Sequence, residues 1–288
     1  MVIVAVAGGT GGVGKTIVET LVGNSEHQAI VLTRSEPTAD PALERTRQVQ
    51  VDYDDIPSLV QVLKQHAIHT IISAIGIFDA TTSQSQLNLI QAAEKSNVTK
   101  RFIPSEYSFI QTKELLPIDP SIQHWLDAAE LLRKSHLQYT RVIPGFFMDY
   151  WGMPVVRTNL TPCTFGINIQ HCQAAIPGDG NDVICMTYTY DMAAFLIRLL
   201  DVADWPEFSI IVGDEVTYNQ LLAMAEEIRG VKFQVTYDSK GSIKDGQVTY
   251  SSHARRESVL LRGAERDDCL VKMKQFLQCV WKDYKGTK

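Results

Sequence analysis

Long apolar runs are missing from this 288-residue chain: no stretch approaches the roughly 20 residues of a membrane-spanning helix. No membrane partner is expected. Positive charge is in deficit, with 27 Lys and Arg against 33 Asp and Glu and a formal net charge of −6. No basic patch offsets the deficit, so direct nucleic-acid binding is not expected. Cysteine is scarce. Cys163, Cys172, Cys185, Cys269 and Cys279 are odd in number and form no Cys-x-x-Cys pair, which points to a reduced, cytoplasmic protein rather than a disulfide framework. His66 and His69 lie three apart without a third ligand, so no metal site is expected. The N-terminal stretch MVIVAVAGGTGG lacks a basic leader and runs into glycines, and it reads as a buried strand rather than a signal peptide. The last residues, YKGTK, carry no lipidation or peroxisomal signal. Repeats and low-complexity segments are absent. What remains is ordinary: 45% hydrophobic and 21% charged residues, a globular balance. The length suits one large unit or one domain plus a lobe.

Short β-branched runs alternate with helical patterns through the first half. Residues 2–7 form a continuous apolar run, as a strand covered on both faces requires. Val13, Ile17, Val18, Leu21 and Val22 recur at helical spacing, and Gly23-Asn24 supplies a stop. Further strands are expected at 29–33, 48–52, 70–74, 101–104 and 139–143. Helices are expected to open at Pro57, to cover 87–93 and to span 121–135. Strands separated by helices imply βαβ units and a parallel, doubly wound sheet, an α/β fold of the Rossmann kind. After Trp151 the pattern loosens at Pro154, Pro162, Pro177 and a turn at 178–182. A helix over 191–200 with Asp191 as N-cap, then a strand over 208–212, close the legible part.

Residues 8–16 read Gly-Gly-Thr-Gly-Gly-Val-Gly-Lys-Thr, between the first strand and the first helix. Gly9-x-Gly11-x-x-Gly14 is the dinucleotide fingerprint. Gly9-x-x-x-x-Gly14-Lys15-Thr16 is also a literal Walker A match. Both set backbone N–H groups and a helix N-terminus against phosphate, so the loop alone does not choose. A P-loop nucleotidase needs a carboxylate at the end of a hydrophobic strand to hold Mg²⁺. The strand ends here carry Arg34, Ser73 and Ser105, and the one candidate, Asp52, sits on a strand of alternating polarity. A dinucleotide site needs a ribose-reading residue about 20 positions past the last glycine. Arg34 stands there, and its charge favours the 2′-phosphate of NADP over the 2′-hydroxyl of NAD. The cofactor expected is NADP, with NAD as the alternative.

Several segments together resemble one family. The loop Gly8-x-Thr10-Gly11-x-x-Gly14, residues 100–107 (KRFIPSEY), residues 137–147 (LQYTRVIPGFF) and residues 176–180 (IPGDG) followed by Asp191 are similar to the NmrA-like, isoflavone-reductase-like atypical short-chain dehydrogenases. The resemblance implies an NADP-preferring Rossmann domain over 1–150, with sheet strands returning near 185–215, and a smaller interleaved substrate lobe over 151–288. It implies an oxidoreductase acting on a small aromatic or polyketide-like secondary metabolite. Gly8, Thr10, Gly11, Gly12 and Val13 would hold the diphosphate, and Arg34 the 2′-phosphate. Asp52 and Tyr53 would lie near adenine. Ser73, Ala74 and Ile75 would pass the ribose, with Ser105 at the next strand end. Pro144, Gly145, Phe146 and Phe147 would flank the nicotinamide. Substrate specificity would reside in loops near 107–120, 150–180 and 240–256.

Two departures from the family pattern matter. Ser35, Glu36 and Pro37 follow Arg34 where a second basic residue is common, and Glu36 would repel a nearby 2′-phosphate. The family's reductases carry a catalytic lysine on the helix before the Tyr-Thr strand. An ungapped count puts Trp125 there, and no lysine occurs from 114 to 133. Candidate catalytic residues are therefore Trp125, which can stack on a flat partner, His124, a residue type suited to proton transfer, and Tyr107, which can donate through its hydroxyl. His124 points about 100° away from Trp125 around the helix. The missing lysine keeps two alternatives open: a non-enzymatic NAD(P)-sensing regulator with a protein partner, and a non-redox isomerase or lyase on the same fold.

Overall fold

The apolar run Ile3–Ala7 forms β1, and Val4, Ala5, Val6 and Ala7 have no exposed surface. This computed structural model describes residues 1–37, 39–245, 249 and 272–282. Along the first half, β1 is followed by α1 (Gly12–Asn24), β2 (Gln28–Thr33), β3 (Arg47–Gln50), α2 (Ile56–Gln65), β4 (Thr70–Ser73), α3 (Ala80–Ser96), β5 (Arg101–Ile103), α4 (Gln123–Lys134) and β6 (Gln138–Tyr139). The six strands make one sheet in the order β3-β2-β1-β4-β5-β6, with every neighbouring pair parallel. β1, β4 and most of β2 are buried on both faces, which is why they read as apolar runs. Leu32, Leu63, Ile71, Leu89, Phe102 and Leu132 share the core on one side of this sheet. Each such side chain contributes about 1.5–3 kcal/mol by leaving water.

Local chemistry sets where the helices begin. Asp55 accepts the Ser58 N–H at 2.9 Å to start α2, with Pro57 in its first turn. Asp79 and Thr82 form a reciprocal capping box at α3. Its last turn closes on Asn97 in the left-handed region.

The strand expected over 139–143 is divided. β6 pairs with β5, whereas β7 (Arg141–Ile143) pairs in parallel with the late strand Phe208–Ile210. Thr140 is the step between them, and its hydroxyl lies 2.8 Å from that of Ser209. Beyond β7 come β8 (Phe146–Phe147), a single turn α5 (Asp149–Gly152), β9 (Ile167–Asn168), β10 (Gln173–Pro177), β11 (Val183–Thr187), α6 (Thr189–Leu200), β12 (Phe208–Ile210), β13 (Asp214–Thr217), α7 (Tyr218–Arg229), β14 (Gln234–Asp238), α8 (Lys240–Lys244) and α9 (Met273–Trp281).

The chain divides into two compact units. One is 1–143 with 192–210; the other is 144–191 with the described part of 211–288. The boundary thus falls at 143 rather than at the expected 150, because Pro144 and Gly145 lead directly into β8, which pairs with β11. The returning segment narrows from 185–215 to 192–210. The second unit holds two three-stranded sheets, β14-β10-β9 and β13-β11-β8. Its core gathers Trp151, Met186, Leu221, Leu277 and Trp281, and the Trp281 indole N–H donates to the Trp151 carbonyl at 2.7 Å. Asp191 is not an N-cap: α6 starts two residues earlier. The buried Asp149 carboxylate accepts the Thr189 N–H at 3.0 Å and its hydroxyl at 2.6 Å, which fixes that start. Burial pushes the Asp149 carboxyl up, against the pull of Thr158 and Thr189.

Candidate active site

The strand order reverses between β1 and β4, and Ala7 pairs with Leu32 on one side and Ser73 on the other. The connection leaving β1 therefore crosses the carboxyl edge where doubly wound sheets hold ligands. Gly8 takes φ +76°, and a Cβ there would stand 2.5 Å from the Ala74 carbonyl oxygen. A Cβ on Gly14 would overlap the Gly8 carbonyl oxygen. These two positions need glycine for backbone packing, and they bring the start of α1 against the end of β4. Gly11 differs: only the Gly8 carbonyl oxygen lies within 4 Å of its added Cβ, at 3.7 Å, and the residue is exposed. Gly11 is also the N-cap of α1 and offers no side chain to the first-turn N–H groups, and the first turn carries no acidic residue. The amides of Gly12 and Val13 open this helix with no side-chain cap, where the helix dipole favours an anion.

The other expected cofactor residues of this unit lie along the same edge, with one exception. Arg34 is exposed at the end of β2, its carbonyl accepting from the Gln50 amide at 3.1 Å. Thr10 is exposed on the glycine loop. Asp52 is exposed just past β3. Ala74 donates its N–H to the Ala7 carbonyl at 2.7 Å, and Ile75 packs on the core margin. The Ser73 hydroxyl is buried at the end of β4 and has no hydrogen-bond partner among the described residues. Tyr53 is the correction. Its ring is 5% exposed within the core, and its hydroxyl donates to the Leu32 carbonyl at 3.3 Å. Burial pushes that phenol up, so Tyr53 braces β2 from inside rather than facing a ligand.

The loop after β5 is held from four directions. The Ser105 N–H donates to the Gln86 side-chain oxygen at 2.8 Å, and the Ser105 carbonyl accepts the Trp125 indole N–H at 3.0 Å. The Tyr107 hydroxyl donates to the Ser73 carbonyl at 2.9 Å. Glu106, between them, receives a two-pronged ion pair from Arg141 of β7, at 2.6 Å and 2.5 Å, with both side chains almost fully buried. Burial raises the Glu106 carboxyl, and Arg141 pulls it back down. The structure thus brings Ser73, Ser105, Tyr107 and Trp125 together and corrects two proposed roles. The Trp125 N–H and the Tyr107 O–H are both engaged with backbone carbonyls, and burial pushes the Tyr107 phenol up. Neither is free to donate. His124 is half-buried on the first turn of α4 and makes no hydrogen bond among the described residues. Its influence reaches Asp79, whose carboxyl the Thr82 N–H chiefly holds low, with His124 a smaller contribution. Sequence reasoning missed the Glu106–Arg141 pair and Gln86. Glu106 and Arg141 stand 35 positions apart, so nothing local signalled their meeting.

Pro144, Gly145, Phe146 and Phe147 open the second unit. Pro144 and Phe147 are buried, and the Pro144 carbonyl accepts the Thr187 hydroxyl at 2.8 Å. Phe146 is half-buried, edge-on to Phe165 at 5.6 Å and to Trp151 at 6.0 Å. Of the expected specificity loops, 246–248 and 250–256 lie outside the described residues. No group of His, Cys, Asp and Glu among the described residues could hold a metal ion, and no described helix is long and apolar enough to cross a membrane.

A parallel sheet of this order, with an uncapped, glycine-lined helix at its switch point, defines a Rossmann dinucleotide-binding protein. The residues present fit a dinucleotide: Gly11 leaves open room above bare amides, and a buried Ser73 hydroxyl waits unpartnered at the adjoining strand end. The family model described as NAD(P)H-binding matches residues 8–160, and the chain belongs to that family. The oxidoreductase BOA1 of Botryotinia fuckeliana is 38% identical over 242 residues, covering 84% of this chain and 81% of that protein. The phenylcoumaran benzylic ether reductase TP7 of Nicotiana tabacum is 25% identical over 248 residues, covering 81% and 77%. The fold matches that of AtPrR2, solved with NADP+ and (+)-pinoresinol, at a TM-score of 0.75 and 20% identity over 97% of this chain and 98% of that one. The isoflavone-reductase-like resemblance is thereby borne out, and the chain is an NAD(P)H-dependent oxidoreductase.

Proposed function

We propose that the protein is an NADPH-preferring, cytoplasmic reductase of a small aromatic or polyketide-like metabolite. The observation that carries this reading is the glycine corner itself, with bare α1 amides and Arg34 at the end of the neighbouring strand. Bound there, the nicotinamide supplies the hydride. The chain's own part is to hold and orient. Gly12 and Val13 amides face the diphosphate. Arg34 reads the 2′-phosphate, and Asp52 lies at the adenosine end. Ser73 offers its hydroxyl to the ribose.

The proton that follows hydride to a carbonyl comes from His124. It is the one candidate of the three whose polar atoms are not tied to the backbone, and an imidazole suits proton transfer near neutral pH. The test is NADPH oxidation against a panel of aromatic and polyketide-like ketones and enones. We expect turnover with NADPH exceeding that with NADH. His124→Gln should lower kcat by about 100-fold or more while leaving NADPH affinity unchanged. NADPH binding without any oxidation across the panel would favour a sensor over a reductase. Full activity in His124→Gln would remove His124 from the chemistry.

A further inference from the structure

Lys15 and Thr16 complete the Walker-like half of the glycine segment, and dinucleotide binding leaves both without a task. Thr16 is core. It is fully buried and its hydroxyl donates to the Gly12 carbonyl at 3.2 Å. Lys15 is different. Its Nζ lies 2.7 Å from Asp40 Oδ2, and the two side chains retain 24% and 29% of their exposure. Asp40 belongs to the same connection as Arg34, between β2 and β3. It is anchored on its far side, since its carbonyl accepts the Leu43 N–H at 2.8 Å and Leu43 is 1% exposed. The charged residues of that connection are Arg34, Glu36, Asp40, Glu44 and Arg45, two positive and three negative. By itself this set is a poor host for a doubly charged 2′-phosphate. Lys15 brings it to neutrality.

We propose that Lys15 adds a positive charge to the cofactor site beside Arg34, setting the preference for NADPH over NADH, and that Asp40 moderates it. The inference rests on the NADPH preference proposed above. Direct contact with the phosphate is not required, because a charge acts over roughly 8 Å at physiological ionic strength. Partial exposure screens the effect, so it is a matter of a few-fold in affinity.

The test is calorimetric titration of NADPH and NADH into the full chain as wild type, Lys15→Met, Asp40→Asn and the double variant. Lys15→Met should weaken NADPH about two- to fivefold, and Asp40→Asn should tighten it by a similar factor. NADH should change little in either, the double variant should fall near wild type, and high salt should shrink every difference. Both single variants break the same ion pair. A purely structural pair would therefore shift the two in the same direction and affect both cofactors. That result, or an unchanged ratio of NADPH to NADH affinity, overturns the proposal. If the wild type binds both cofactors equally while the variants still move the ratio in opposite directions, the preference proposed above fails and the role of Lys15 stands.

Discussion

The Tyr107 hydroxyl and the Trp125 indole N–H both end on backbone carbonyls, and this decides what each residue can do. Burial pushes the Tyr107 phenol above its ordinary range, so it stays neutral wherever the enzyme is assayed. Tyr107→Phe should therefore leave the shape of the pH–rate profile unchanged while costing about 1 kcal/mol of stability in urea. An alkaline limb present in the wild type and absent from the variant would show that Tyr107 titrates in turnover. Trp125→Phe keeps a ring but leaves the Ser105 carbonyl without its donor. A loss of about 1–2 kcal/mol is expected, with NADPH affinity unchanged, because the residue stands on α4, bonded to the loop after β5, and not at the glycine corner. The glycine corner, Arg34 and the unusual Trp125 were legible from letters because each is a departure from local expectation. Tyr53 was not, because its position beside Asp52 says nothing about which way its ring turns. The apolar neighbours Leu32 and Leu59 claimed it for the core.

At the scale of elements, the loop after β5 depends on a buried ion pair. Glu106 and Arg141 are each 3% exposed. Removing one partner leaves a charge without compensation, so Glu106→Ala should destabilise the protein by about 3–5 kcal/mol, measured by denaturant unfolding. Replacing both by apolar residues should recover much of that loss. A Glu106→Ala variant as stable as wild type would contradict the reading. β1, β2 and β4 were readable as continuous apolar runs, and α2 as a Pro-initiated amphipathic helix. The division of 139–143 into β6 and β7 was not. It follows from Thr140 meeting Ser209, far along the chain. The start of α6 likewise depends on Asp149, a distant carboxylate buried beneath it.

At the scale of the whole molecule, two units share one chain, and the second begins where β7 ends. Alternation of strands and helices revealed the first unit because each βαβ step is local. The second pairs short strands across long separations, such as β10 with β14, so its sheets had no local signature. A cofactor that binds only the folded first unit should raise stability by about 2.7 kcal/mol at a hundredfold excess over its Kd, read as a higher unfolding temperature with NADPH. The most direct test concerns Gly11, whose added Cβ meets nothing closer than 3.7 Å within the protein yet would occupy the open mouth of the corner. NADPH should be titrated into wild type and Gly11→Ala alongside their unfolding curves. The account predicts nearly equal stability and an affinity lowered by about tenfold or more, since a methyl group would separate the diphosphate from the α1 amides. A Gly11→Ala protein that binds NADPH as tightly as the wild type would contradict it.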